Sequence, residues 1–203
     1  KAGLLALYAA LPWVRTRYRR AWVFLDRHEN ADDNAEHLYR WVTAKQPQIN
    51  AWFLLKPDST DWVRLEREGF RLLAPGSLES KLLILNSEYV ISSHADYATG
   101  GFDPMLYAPH MRWRFCYLRH GSGMNDQSHF WGPRAFDLLV TSSPAEWQSI
   151  IESDSNYPYT EREARLLGLP RHDRLLKQAR ERRPQSSKTL LVMPTWRGSA
   201  FEE

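Results

Sequence analysis

The stretch "FDLLVTSSPAEWQSII", residues 136–151, changes periodicity in its middle. The run through Val140 is short and apolar, as a strand covered on both faces is. Ser143 then offers a side-chain cap, Pro144 suits the first helical position, and Glu146 stands three residues after the cap. Trp147, Ile150 and Ile151 follow at helical spacing and predict one buried helix face. A strand running into a capped helix is half of a β-α-β unit, and repeats of that unit build a parallel sheet.

The alternation extends in both directions. "AWVFL" (21–25) predicts a first strand, and Asp33 with Glu36 has capping-box spacing for a helix whose face is Ala35, Leu38, Trp41 and Val42. "INAWFLL" (49–55) is a second strand, followed by a helix capped by Thr60, facing inward with Trp62 and Leu65 and stopped at Gly69. "FRLLA" (70–74), a helix from Ser77 to Leu85, and "EYVISS" (88–93) continue the pattern. A long loop over 96–112 leads to "RFCYL" (114–118), and "EARLLGL" (163–169) with a basic helix over 173–183 closes it. The expected fold is α/β, a Rossmann-like doubly wound parallel sheet. "RRPQSSK" (182–188) reads as a linker, so the expected organisation is an apolar and basic segment 1–20, a domain 21–183, and 184–203 opening a second domain that is cut short. The chain begins with Lys1, which fits a piece of a longer protein.

Hydrophobic residues at 43% and nine Trp allow a sizeable core, and a net charge of only +3 argues against a general nucleic-acid binder. The single Cys116 excludes an internal disulfide. The apolar part of "KAGLLALYAALPWVRTRYRR" is about half the ~20 residues a membrane-spanning helix needs. It is either a packed helix or one lying on an anionic membrane, with Arg15, Arg17, Arg19 and Arg20 facing lipid phosphates.

In a doubly wound sheet, ligands bind outside the carboxyl ends of the strands. The fifth strand delivers Arg119, His120, Gly121 and Gly123 there, the fourth Ser92, Ser93 and His94, and the sixth Thr141, Ser142 and Ser143. An imidazole at that edge can take a proton near neutral pH, and glycines let a substrate approach the backbone. The alternative is that His120 only closes a turn in which Gly121 supplies a positive φ. No P-loop, nucleophile elbow, zinc-protease or dinucleotide-binding fingerprint is present. Cys116, His110, His120 and His129 lack metal-ligand spacing, so neither a metal nor a cofactor is expected. Asp26, Asp32 and Asp33 could form an acidic site, although Asp33 already serves as a helix cap.

"DDNAEHLYRW", "YVISSHAD", "YLRHGSGMND", "FDLLVTSSPAEWQSII", "LLGLPRHDRLL" and "LLVMPTWRG", in this order, resemble the CDP-glycerol:poly(glycerophosphate) glycerophosphotransferase family of teichoic-acid and capsule-polymer synthesis. The resemblance runs from about Trp22 to Gly198; Asn125 and Asp126 stand where a Lys often follows the family's His-Gly turn. It implies a GT-B architecture of which this chain is the N-terminal, acceptor-side domain. It implies a CDP-glycerol or similar CDP-alcohol donor, a lipid-linked polyol-phosphate or glycan acceptor, and a cytoplasmic enzyme peripheral on the inner membrane face. His120 would be the general base. Arg119, Gly121, Ser122, Gly123, Ser92, Ser93, His94, Thr141, Ser142, Arg171, Thr195 and Arg197 would bind substrate, those beyond the linker on the donor side. A GT-B glycosyltransferase or nucleotide-sugar enzyme, and a non-catalytic acceptor- or membrane-binding module, are the alternatives. As a free fragment the chain is expected to be inactive.

Overall fold

The computed structural model describes residues 2–95, 110, 112–121, 126–132, 134–181 and 190–192. Seven parallel strands form one sheet: β1 (Ala21–Leu25), β2 (Ala51–Leu54), β3 (Leu72–Leu73), β4 (Ser87–Ser92), β5 (Arg114–Tyr117), β6 (Leu138–Thr141) and β7 (Ala164–Leu166). Their order is β3-β2-β1-β4-β5-β6-β7, with the direction of winding reversing between β1 and β4. The helices are α1 (Ala2–Ala9), α2 (Pro12–Tyr18), α3 (Asn34–Lys45), α4 (Trp62–Arg67), α5 (Leu78–Asn86), α6 (Ser128–Trp131), α7 (Pro144–Ile151) and α8 (Pro170–Glu181).

The period-two alternation of the strands divides the core in two. Val23, Leu25, Phe115 and Tyr117 face a cluster built with α1, α2, α5 and α7. Phe24, Phe53, Cys116 and Leu118 face the other side, where Ala35, Tyr39 and Val42 of α3 and Leu65 of α4 cover them. Tyr39 sits at the centre of this second layer, stacked on Phe70 at 4.2 Å and edge-on to Phe24 and Phe53. Burial pushes the Cys116 thiol up to about 12, so it behaves as a small core hydrophobe.

The expected caps of α5 and α7 are in place, with Ser77 Oγ accepting from Ser80 N and Ser143 Oγ from Glu146 N. Elsewhere the local reading needed correction. Trp41 is 54% exposed, and Tyr39 takes its place in the core because the aromatic rings of β1, β2 and Phe70 surround it. Glu36 does not reach back to the Asp33 N–H. It is fully buried, accepts from Asp32 N, and pairs with Arg40 and Arg64. Asp61, not Thr60, flanks α4, and its carboxylate accepts from Ala31 N and Arg64 instead of capping. The basic helix starts at Pro170, whose fixed φ suits a first turn. The N-terminal segment is two helices, the second again opened by a proline. Among the described residues no helix is long and apolar enough to cross a membrane.

Candidate functional site

The carboxyl ends of β1, β4, β5 and β6 are adjacent, so the loops leaving them share one edge of the sheet. β5 runs on through Leu118, whose N–H donates to Ser92 O at 2.8 Å, and then turns at Arg119. The left-handed residue of this turn is Arg119, with φ +64°, and not Gly121, to which the turn-only alternative gave that part. A non-glycine residue holds such a conformation only when its surroundings over-determine it. Here they do. Arg119 is 4% exposed, its guanidinium is ion-paired with Glu146 and lies 4.6 Å from the Trp131 ring centre. Its carbonyl oxygen accepts from Asn34 Nδ2 at 2.7 Å.

Asn34 is fully buried at the start of α3 and works in two directions. Besides bonding Arg119, its Oδ1 accepts from the backbone N–H of Arg171 at 3.1 Å, in the first turn of α8. One amide thus ties α3, the end of β5 and the start of α8 together. Arg171 is held further by Asp33 at 3.1 Å, and a Cβ built on Gly121 would stand 3.9 Å from its Nη2.

The consequence is that His120, directly after the pinned Arg119, is exposed at the carboxyl edge. Its ring stacks on His94, with ring centres 4.7 Å apart and planes 16° apart. Arg27 Nε donates to His94 Nε2 at 3.3 Å. The backbone N–H of His94 donates to Ser92 Oγ at 3.0 Å. The two imidazoles, with Tyr117, Gln127, His129 and Trp131, line a cavity of about 310 Å³. Among the described residues no group of three or more His, Cys, Asp or Glu is placed to hold a metal ion.

The crevice between β1 and β4 is where a Rossmann-like sheet offers the N-terminus of its first helix to a phosphate. In this protein that seat is filled from within. The Asp26 carboxylate accepts from the N–H groups of Asp33, Ala35 and Glu36 and from the Ser93 hydroxyl. Burial raises Asp26 to about 6, the Ser93 hydrogen bond and the backbone donors offsetting only part of the desolvation.

The structure therefore gathers Arg119, His120, Gly121, Ser92, Ser93, His94 and Arg171 around neighbouring strand ends. Thr141 and Ser142 lie on the same edge, after β6. Thr141 is buried and donates to Arg165 O, while the Ser142 N–H and hydroxyl donate to Glu146. Ser92, Ser93, Thr141 and Ser142 thus all bond protein groups. Ser122, Gly123, Thr195 and Arg197 lie outside the described residues. Sequence reasoning missed Asn34, Arg27, Asp26 as an internal anion and Glu146 as the Arg119 partner; each acts through a contact distant in sequence.

Residues 7–203 match the family described as CDP-Glycerol:Poly(glycerophosphate) glycerophosphotransferase. The chain is 37% identical over 181 residues to the minor teichoic acid biosynthesis protein GgaB of Bacillus subtilis (strain 168), covering 87% of this chain and 19% of that protein. The structure of the wall teichoic acid polymerase TagF superimposes with a TM-score of 0.67 at 12% identity, over 99% of this chain and 54% of that one. A histidine-to-asparagine variant of TagF soaked with CDPG gives 0.63 at 12% identity, with the same two coverages. The chain spans about a fifth of the length of GgaB and about half that of the TagF chain, and the structural likeness is one of fold. With most of its residues matched, the chain belongs to the CDP-glycerol:poly(glycerophosphate) glycerophosphotransferase family.

Proposed function

We propose that this chain is the acceptor-side half of an enzyme that moves glycerol phosphate, or a related polyol phosphate, from a CDP-alcohol to a hydroxyl of a lipid-linked polymer. The observation that carries this reading is His120, held at an open strand end by a buried turn and stacked on His94. A polyol hydroxyl is a poor nucleophile. His120 would take its proton as the oxygen attacks the β-phosphorus of the donor; the bond to the CMP oxygen breaks, and CMP leaves with that electron pair. Such transfers depend mainly on positioning and charge stabilisation. Arg171 and Gly121 would position the acceptor, with Ser122 and Gly123 next in the chain.

Asp26 supports the acceptor-side assignment. An anionic carboxylate already occupies the helix terminus that a donor pyrophosphate would otherwise use, so the CDP group has to be bound elsewhere. In a GT-B arrangement that place is a second domain across the cleft, which residues 184–203 would open. Leu190, Leu191 and Val192 lie outside the seven-stranded sheet and are 88%, 75% and 75% exposed, as apolar residues awaiting cover by another unit are. Thr195 and Arg197 would then serve the donor side. The exposed Leu4, Leu7 and Trp13 together with Arg15 and Arg19 suit peripheral attachment to an anionic membrane on its cytoplasmic face.

The test is a transfer assay on the full-length protein with CDP-glycerol, CDP-ribitol and UDP-sugars in parallel. Release of CMP with a CDP-alcohol alone is the expected result. Turnover of a UDP-sugar would replace this reading with a glycosyltransferase.

A further inference from the structure

A cavity of about 720 Å³ opens at the amino edge of the sheet, the opposite edge from His120. It lies between α1 and α2, the end of α5, the first residue of β4 and the approach to β5. Its apolar part comes from the alanines of α1 and from Leu85, and its polar rim is basic. Arg15 and Arg19 enter from α2 and its end, and His110 and Arg112 from the segment before β5, nearly a hundred residues later. Arg20 also lines it, but that guanidinium bonds Glu88 through two contacts, at 2.7 and 3.1 Å. Among the described residues, Arg15, Arg19 and Arg112 have no carboxylate partner and no Asp or Glu lines the cavity.

We propose that this cavity is a binding site for a phosphate ester. Three exposed guanidinium groups, brought to one cavity by two segments far apart in the chain, present planar, forked donors, the geometry that matches the oxygens of phosphate. The alanine floor leaves room for the small ester group that the phosphate carries. Such a ligand is either a soluble or polymer-borne polyol phosphate or the headgroup of an anionic phospholipid. A phosphate held here is a full strand length from His120, because Arg112 precedes β5 and His120 follows it, so it anchors without entering the chemistry. The site deepens the membrane reading above only in its lipid form, and a soluble probe tests it without a bilayer.

The experiment compares the protein with Arg15→Gln/Arg112→Gln, Arg15→Lys/Arg112→Lys, and Arg162→Gln as an exposed control away from the cavity. Glycerol 3-phosphate binding is followed by calorimetry, and flotation on phosphatidylglycerol and on phosphatidylcholine vesicles is measured alongside. Loss of affinity by about tenfold per guanidinium removed is expected, with the control unchanged and the lysine variant between. If glycerol 3-phosphate is the ligand lost, the source is soluble or polymer-borne. If only phosphatidylglycerol flotation is lost, it is a lipid headgroup. Wild-type binding of neither probe, or glutamine variants that bind both as the wild type does, overturns the site. Should the glutamine variants misfold, a lysine variant that binds no differently from wild type in salt dependence and affinity overturns it equally.

Discussion

His94 and His120 stack nearly parallel, ring centres 4.7 Å apart, although each closes a different strand. The Arg27 hydrogen bond holds His94, so the pair is a positioned unit, with the His120 ring exposed and the His94 ring bonded to the protein. His94→Ala removes the surface on which His120 rests. Turnover should fall about tenfold, short of the ~10²–10⁴ that loss of a general base costs. His94→Phe restores a flat ring and should recover most of the rate. Steady-state kinetics on the three proteins checks this; a phenylalanine variant as impaired as the alanine one would show that stacking is not what matters.

Asn34 joins three elements, and its removal should be felt well beyond α3. Asn34→Ala leaves the Arg119 carbonyl and the Arg171 N–H without their partner inside the protein. At about 1–3 kcal/mol for each of the two buried unsatisfied groups, a loss of roughly 2–6 kcal/mol is expected. Asn34→Asp should do no better, since a carboxylate has no donor for the Arg119 carbonyl. Urea unfolding gives both values.

The buried Arg119–Glu146 pair predicts a non-additive pattern. Either Arg119→Met or Glu146→Leu alone strands a partner charge and should cost about 3–5 kcal/mol. Arg119→Met with Glu146→Leu strands none, and should cost less than the sum of the single changes. A double-mutant cycle on thermal or urea unfolding reads the coupling directly.

Asp26 gives a pH dependence with a definite sign. Its pKa is raised in the folded protein to about 6 from an unfolded value near 4, so the folded state holds this proton more tightly. The stability it contributes is fully present below about pH 4 and is lost as pH rises to about 6, a change of roughly 3 kcal/mol. Asp26→Asn abolishes that slope. Unfolding curves of both proteins between pH 4 and 7 should therefore differ in slope across this window and run parallel above it.

Much of this fold can be read locally because its signals are local. Ser143 and Pro144 start a helix through neighbours within four residues, and the apolar runs at 21–25 and 114–118 are too short and too β-branched or aromatic for helices. The edge carrying the site follows from the parallel alternation alone, which places His94 and His120 together before any contact is known. What the chain order hides is the partner of each group. Asn34 reaches across 85 residues to Arg119 and 137 to Arg171, and Asp26 accepts from Ser93 67 residues away. Helical periodicity likewise treats Trp41 and Tyr39 on local grounds, whereas the ring cluster of Phe24, Phe53 and Phe70 decides which is covered. α6 is a single turn next to Gly132, too short to carry a period.

The most direct measurement is the turnover of CDP-glycerol by the full-length protein carrying His120→Ala, alongside donor binding by the same variant. A proton-accepting His120 predicts turnover lower by about 10²–10⁴ with donor affinity unchanged, because the base acts on the acceptor hydroxyl. A variant with wild-type turnover, or one whose whole defect lies in donor binding, would contradict it.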